Sequence, residues 1–427
     1  MRTVQGAALG GFGALVRGLV GTRPRPADAV TASAEALHSL RARHGCAPRL
    51  LRTRSGKTVL VLLDPRDLRR FYAEPPTVLV ADPPRKCRAP DPGEPLGTGP
   101  AYGGPRPERR RVDTEALTPG LPVHPSYPRF RAVLAEEARH LTVAGTLELG
   151  RVRRAVDRAA RRIVLGDAAA ADEQLTGWLR HLRADADDAR VPQPPPNGPP
   201  SPTRTAARSP HGKADARIRA YAARADRDTL VGRAAPHGDA LGRVHPWLSA
   251  LDTIPGTLLR TLLLLGAHPC EQRRAATEAA GYPGPGELPR LRACVREALR
   301  LYPAVPELVR VARTETRWQG VSHPAGTTVL LPAGFHQRDP EQVPAAHAFV
   351  PDRWKGPGAD RDVRMAPFGH GAGRCPGDQL GLLLTAALCA EVLRGHRIEA
   401  VRPALDPVEP LPALLDPRAI RLSLTRR

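Results

Sequence analysis

Residues 368–377 read FGHGAGRCPG, one cysteine fenced by four glycines and a proline in a chain of 427 residues that has only six cysteines. Cysteine acts as a ligand or a nucleophile only as the thiolate, which a metal or a cluster of backbone N–H groups stabilises. Glycine lets the backbone fold tightly around a sulfur and turn amides toward it. A nucleophilic cysteine needs a histidine base, and His370 is the obvious neighbour, although across glycines its geometry is undetermined. A structural cysteine in a tight turn does not explain why Phe368, Gly371, Cys375 and Gly377 occur together. By composition, a chance match to FxxGxxxCxG arises in roughly one such chain in a thousand.

Upstream, LPRLRACVREALRLYP (288–303) is predicted as a helix stopped by Pro303. Glu297 and Arg300 stand at i and i+3 on one face of it and can pair. Nine Glu-x-x-Arg spacings occur in this arginine-rich chain, so the spacing alone decides nothing. Position does: this pair sits in a helix ending RLYP, followed by strand-like LVRVA, TRWQGVS and TTVLLPA, then FVPDRW, then the cysteine loop.

Further upstream, HPWLSALDTIPGTLLRTLLLLGA (245–267) is too apolar for a surface helix and reads as a buried central one. Asp252 and Thr253 lie inside it, where an unpaired carboxylate is costly, so pairing to a distant arginine is one reading of Asp252. Pro255 removes one N–H and clashes with the carbonyl of Leu251, which predicts a bend at this pair.

Elsewhere the pattern predicts a helix at 31–44, a hairpin across Ser55-Gly56, a proline- and glycine-rich loop at 82–106, and helix over 129–165 and 172–189. Residues 190–213 (RVPQPPPNGPPSPTRTAARSPHGK) can form neither helix nor central strand and read as a solvated linker or a mobile lid. A leucine-rich helix is expected at 379–394. The chain is thus expected to be mainly α (α+β), a single large helical domain with a small β portion.

The formal net charge is +21, with 60 arginines against 4 lysines. The arginines are scattered and aromatics are only 4% of the chain, which argues against a nucleic-acid surface and leaves biased composition or an acidic protein partner. Cys46, Cys87, Cys270, Cys294, Cys375 and Cys389 contain no CxxC pair and match neither a zinc module nor a disulfide framework, so a cytoplasmic location is expected. The apolar stretch from Gly6 to Val16 is too short and glycine-rich to span a bilayer. No integral membrane span is therefore expected. A secretory leader is the competing reading of residues 1–30, and Arg17 breaks its apolar stretch.

Phe368, Gly371, Cys375 and Gly377 resemble the haem-binding signature of the cytochrome P450 family, with the soluble bacterial enzymes as the nearest type. The resemblance runs from about residue 31 to the end and is strongest between 245 and 390. It implies the family's fold, with a haem b (iron protoporphyrin IX) buried between the central helix and the cysteine loop and Cys375 as the iron's thiolate ligand. It implies that Glu297, Arg300 and Arg353 form a buried charge network that specifies the core around the loop. SALDTI resembles the family's oxygen-activation helix, with Asp252 and Thr253 as the acid–alcohol pair that delivers protons. Arg310, in LVRVARTET, and Arg110, in RPERRRVDTEAL, resemble the arginines that meet the haem propionates. Two departures stand out: Arg106 occupies an aromatic position, and Gly373 stands where the family commonly has Arg or His.

The resemblance further implies residues 1–30 as an N-terminal extension and 31–427 as the cytochrome P450 domain. The implied activity is monooxygenation of an apolar small molecule by a monomer. The chain carries no clear G-x-G-x-x-G unit and no reductase-sized extension, so the expected electron donors are ferredoxin and an NAD(P)H-dependent ferredoxin reductase. The competing readings are a peroxide-driven haem-thiolate peroxygenase, a haem-free scaffold of the same fold, and a haem-based sensor.

Overall fold

The computed structural model describes residues 26–52, 58–80, 106–188, 210–281, 286–356 and 358–427. In chain order its helices are α1 (Pro26–His44), α2 (Pro65–Ala73), α3 (Arg106–Leu117), α4 (Tyr127–Thr142), α5 (Leu149–Leu165), α6 (Glu173–Asp188), α7 (Pro210–Ala222), α8 (Leu230–Ala234), α9 (Leu241–Leu251), α10 (Ile254–Ala267), α11 (Pro269–Ala280), α12 (Pro289–Leu301), α13 (Ala333–Gln337) and α14 (Asp378–Gly395). The strands are β1 (Arg49–Arg52), β2 (Thr58–Val61), β3 (Leu79–Val80), β4 (Thr146–Glu148), β5 (Leu308–Ala312), β6 (Thr316–Trp318), β7 (Val321–His323), β8 (Thr328–Leu331), β9 (His396–Arg402) and β10 (Arg421–Arg426). The chain falls into two compact units, one of Met1–Lys86, Arg296–Cys375 and Leu405–Asp416, the other of Cys87–Val295, Pro376–Ala404 and Pro417–Arg427.

The first unit is built on a mixed sheet in the order β1-β2-β8-β5-β3, in which only β2 and β8 run parallel. Its side chains alternate strictly, as the two-residue repeat of a strand demands. Leu60, Leu62, Val329 and Leu331 pack on one face with Leu68, Phe71 and Tyr72 of α2. Val61, Leu63 and Leu330 pack on the other with Leu37 of α1 and Phe335 of α13. Both sheet faces are therefore covered, and α2 is pinned on the side that carries the cysteine loop.

The second unit is helical. Nearly every side chain of α10 is buried, and α14 is apolar on all sides, the mark of helices with no solvent face. Gly266 lets β9 approach α10, since a Cβ there would meet Ile398 and Val401 at 2.7 and 2.6 Å. Leu241–Ala267 is, among the described residues, the one helical run long and apolar enough to cross a membrane, and 61% of its apolar 18-residue window is buried within the chain.

Two local expectations change. The helix expected over 129–165 is two helices, because Gly145 turns the chain in the left-handed region (φ +65°) and Thr146–Glu148 pair with Arg421–Ser423 as β4 and β10. The irregular segment expected to run to 213 ends earlier, since α7 begins at Pro210, where a missing N–H costs a helix nothing. The rest of that segment, the Ser55-Gly56 turn, residues 82–105 with Cys87, and residues 1–25 lie outside the described residues.

Candidate active site

In the first unit, the cysteine loop closes on itself through the Cys375 N–H, which donates to the Phe368 carbonyl at 2.9 Å. Gly369 and Gly371 turn in the left-handed region (φ +70° and +62°). Gly371 is required twice over, because a Cβ there would lie 2.5 Å from the Tyr72 carbonyl oxygen. The glycines thus press the loop against the end of α2 and leave Cys375 and Phe368 half-buried, with 371–373 exposed. The His370 ring faces Tyr72 at 6.0 Å between centroids. Burial pushes the Tyr72 hydroxyl up to about 12, so that it stays neutral beside the loop.

Arg310, on β5, reaches the same place. Its guanidinium stacks over Phe71 at 4.4 Å and donates to the Phe71 carbonyl at 2.6 Å. Its Nη2 lies 2.8 Å from where a Cβ on Gly373 would stand. The missing side chain at 373 and the cation at 310 are therefore one arrangement: Arg310 fills the space that Gly373 leaves.

Glu297, Arg300 and Arg353 come together. Arg300 donates to both Glu297 carboxylate oxygens at 2.9 and 2.8 Å, and neither side chain has any solvent exposure. The remaining Arg300 donors go to the carbonyls of Gln337, Ala346 and Ala348 at 2.8, 2.8 and 3.0 Å. Glu297 also accepts from Arg353 Nε at 3.0 Å, Trp354 Nε1 at 2.8 Å and the Val350 N–H at 3.1 Å. This one carboxylate thus ties the helix end to the 344–354 segment that precedes the loop. Trp354 and the three carbonyls were not legible as partners, since they lie 37 to 57 residues away in the chain.

In the second unit, the apolar run breaks where Pro255 predicts. Residues 252 and 253 separate α9 from α10, and Pro255 has no N–H to offer the Leu251 carbonyl. The Thr253 side chain is exposed and donates to the Ala250 carbonyl at 2.7 Å. The Asp252 carboxylate accepts from Arg180 Nη2 of α6 at 2.7 Å, 72 residues away, with Arg153 of α5 at 3.9 Å. Asp157 of α5 accepts from the same Arg180 nitrogen at 2.7 and 2.9 Å. Asp157 and Arg180 carry no signal in the sequence, because both sit in helices crowded with charges.

Arg110 stands half-buried on α3. That helix is fixed to α9 by the buried Asp113, which accepts from Arg243 at 2.9 and 2.8 Å and from Trp247 Nε1 at 2.9 Å. Arg374 approaches Asp360 at 3.8 Å on the surface.

A family profile described as "Cytochrome P450" matches residues 249–422, which include the Asp252-Thr253 break, the Glu297 cluster and the cysteine loop. Over that stretch the chain is similar to the cytochrome P450 family. Among curated relatives, this chain is 35% identical to cyclooctat-9-en-7-ol 5-monooxygenase of Streptomyces melanosporofaciens over 40% of each chain. It is 33% identical to pentalenene oxygenase of Streptomyces avermitilis over 41% of each. It is 32% identical to the human mitochondrial 25-hydroxyvitamin D-1 alpha hydroxylase over 45% of this chain and 41% of that one. The matches thus span about two fifths of those relatives' own length. The fold likeness is wider: a retinoic-acid-bound cyanobacterial CYP120A1 superposes with a TM-score of 0.68 over 91% of this chain and 94% of that one, at 18% identity.

The family implies a thiolate-ligated haem, and the chemistry of the loop suits one. A half-buried cysteine stands in a loop shaped by glycines, and the Arg310 guanidinium lies against that loop at Gly373.

Proposed function

We propose that this chain is a cytochrome P450, a haem-dependent monooxygenase that places one oxygen atom from dioxygen into an apolar small molecule, with electrons from separate redox proteins. The observation that carries the proposal is the glycine-fenced Cys375 loop with the Arg310 cation beside it. Cys375 is the thiolate that would hold the iron, with Phe368, Gly371 and Gly377 shaping the loop and Arg310 and Arg110 as donors to the propionates. Bound haem, held by the Cys375 thiolate, would supply the dioxygen chemistry. Thr253, whose hydroxyl is exposed at the helix break, and Asp252, held by Arg180, form the acid–alcohol pair that hands over protons. The buried Glu297 network with Arg300 and Arg353 keeps the segment before the loop in place.

The relatives' names support a largely apolar substrate, since cyclooctat-9-en-7-ol is by its name an unsaturated alcohol and pentalenene an alkene. The test is the reduced, carbon-monoxide-bound absorption spectrum of the haem-supplemented protein, followed by turnover with a ferredoxin system against hydrogen peroxide. A colourless protein after supplementation overturns the proposal. Turnover with peroxide alone converts it to a peroxygenase.

The strongly positive net charge of +21 and Arg374 beside the cysteine favour an acidic ferredoxin as donor. Electron transfer to the protein should slow as salt rises, because the Debye length shrinks from about 10 Å at 0.1 M to about 3 Å at 1 M. A rate indifferent to ionic strength between those limits would remove the ferredoxin assignment.

A further inference from the structure

Arg110, Asp113 and Leu117 share one face of α3, since they stand three and four residues apart as the helical repeat requires. Leu117 and Asp113 are buried on that face, and Arg110, one turn nearer the start of the helix, is half-buried. A carboxylate among buried side chains is costly unless it is paired and hydrogen-bonded. Asp113 is both: Arg243 donates to its two oxygens through Nε at 2.9 Å and Nη2 at 2.8 Å, and the Trp247 Nε1–H donates at 2.9 Å. Arg243 and Trp247 stand four residues apart on one face of α9. The side chains of Asp113 and Arg243 are 6% and 13% exposed. A second polar contact of α3, Glu115 with His237 at 3.7 Å, is long and exposed, and a pair of that kind holds little.

A buried ion pair often stabilises no more than apolar side chains of the same volume would, so what the Asp113 cluster supplies is orientation. A bidentate guanidinium–carboxylate pair is planar and tolerates little rotation. Turning α3 about its axis swings Asp113 and Arg110 together, so the bonds that fix one also fix the direction of the other. We propose that Asp113 is a positioning residue for Arg110: by binding Arg243 and Trp247 of α9 it sets the rotation of α3, and with it the direction in which Arg110 presents its guanidinium to the haem propionates. The propionate end of this inference rests on the oxygenase reading, whereas the fastening of α3 to α9 does not.

The experiment is a double-mutant cycle on the haem-supplemented full chain, reading haem loss to excess apomyoglobin and the reduction potential of the iron. Arg110→Ala should speed haem loss about tenfold, the worth of one charge-assisted hydrogen bond. Asp113→Asn keeps the size of the side chain and an acceptor for Trp247. It should speed haem loss in the same direction, and should add nothing once residue 110 is alanine. The potential separates positioning from plain electrostatics: removing a negative charge near the haem raises the potential, whereas turning the Arg110 cation away from the propionates lowers it. Asp113→Asn should lower it. Should Asp113→Asn fail to fold, Arg243→Gln breaks the same bidentate pair from the α9 side and is judged by haem loss with and without Arg110.

Equal effects on haem loss in the presence and absence of Arg110, a raised potential in Asp113→Asn, or haem loss unmoved by Arg110→Ala each overturn the inference. The fastening itself is read without haem, as amide hydrogen exchange across Arg106–Leu117, which should quicken about tenfold in whichever of the Asp113 and Arg243 variants folds. Unchanged exchange overturns the inference whatever the haem result. Quickened exchange in a protein that takes up no haem overturns the oxygenase reading, and the fastening stands.

Discussion

Cys375→Ala should abolish the red-shifted Soret band of the reduced carbon-monoxide complex and lower oxygenation by at least about 10³-fold, equivalent to roughly 4 kcal/mol of barrier. The reason is local. The Cys375 backbone N–H closes the loop on Phe368, and that bond survives in the alanine variant, so the loop keeps its shape and loses only the sulfur. Far-UV circular dichroism and the unfolding midpoint measured without haem should therefore match the parent. Cys375→His, which offers nitrogen in place of the thiolate, should bind haem without restoring the band. If the alanine variant keeps both the spectrum and the turnover, Cys375 is not the iron ligand and the assignment falls.

Glu297→Ala should cost the first unit about 3–5 kcal/mol of unfolding free energy, the usual result of leaving a buried charge without its partner. The orphan is Arg300, with no solvent exposure, and the Arg353, Trp354 and Val350 donors lose their acceptor in the same step. Urea denaturation of the full chain reads the loss as a lower midpoint of the affected transition. Glu136→Ala is the control. Glu136 also pairs with an arginine, Arg162 at 2.8 Å, but it is 43% exposed, and a surface pair of that kind contributes no more than about 1 kcal/mol. Equal costs for the two substitutions would mean that burial is not what makes the Glu297 cluster matter. Haem retention should fall with stability in Glu297→Ala, because the segment that the carboxylate holds leads into the cysteine loop.

The residues around Cys375, Glu297 and Asp252 were legible in the sequence because each sits in a short local pattern: glycines around a sulfur, charges one helical turn apart, and a proline that leaves a carbonyl unpaired. The five-stranded sheet was legible only in pieces. Its strands alternate correctly, but β2 and β8 lie far apart in the chain, and their parallel pairing rests on contacts that no local window contains. β4 was missed for the same reason, since three residues that continue a helical pattern are strand only because β10 lies beside them. Arg180 and Asp157 were illegible because 60 arginines make any single pairing indistinguishable by spacing.

The crowding of Arg310 over Gly373 has a consequence for anyone borrowing residues from relatives. Putting an arginine or histidine at 373 would shift a guanidinium that is stacked on Phe71 and bonded to its carbonyl, so the substitution should cost less once 310 has been made smaller. The two positions are therefore coupled, and a change at one alters what the other can carry.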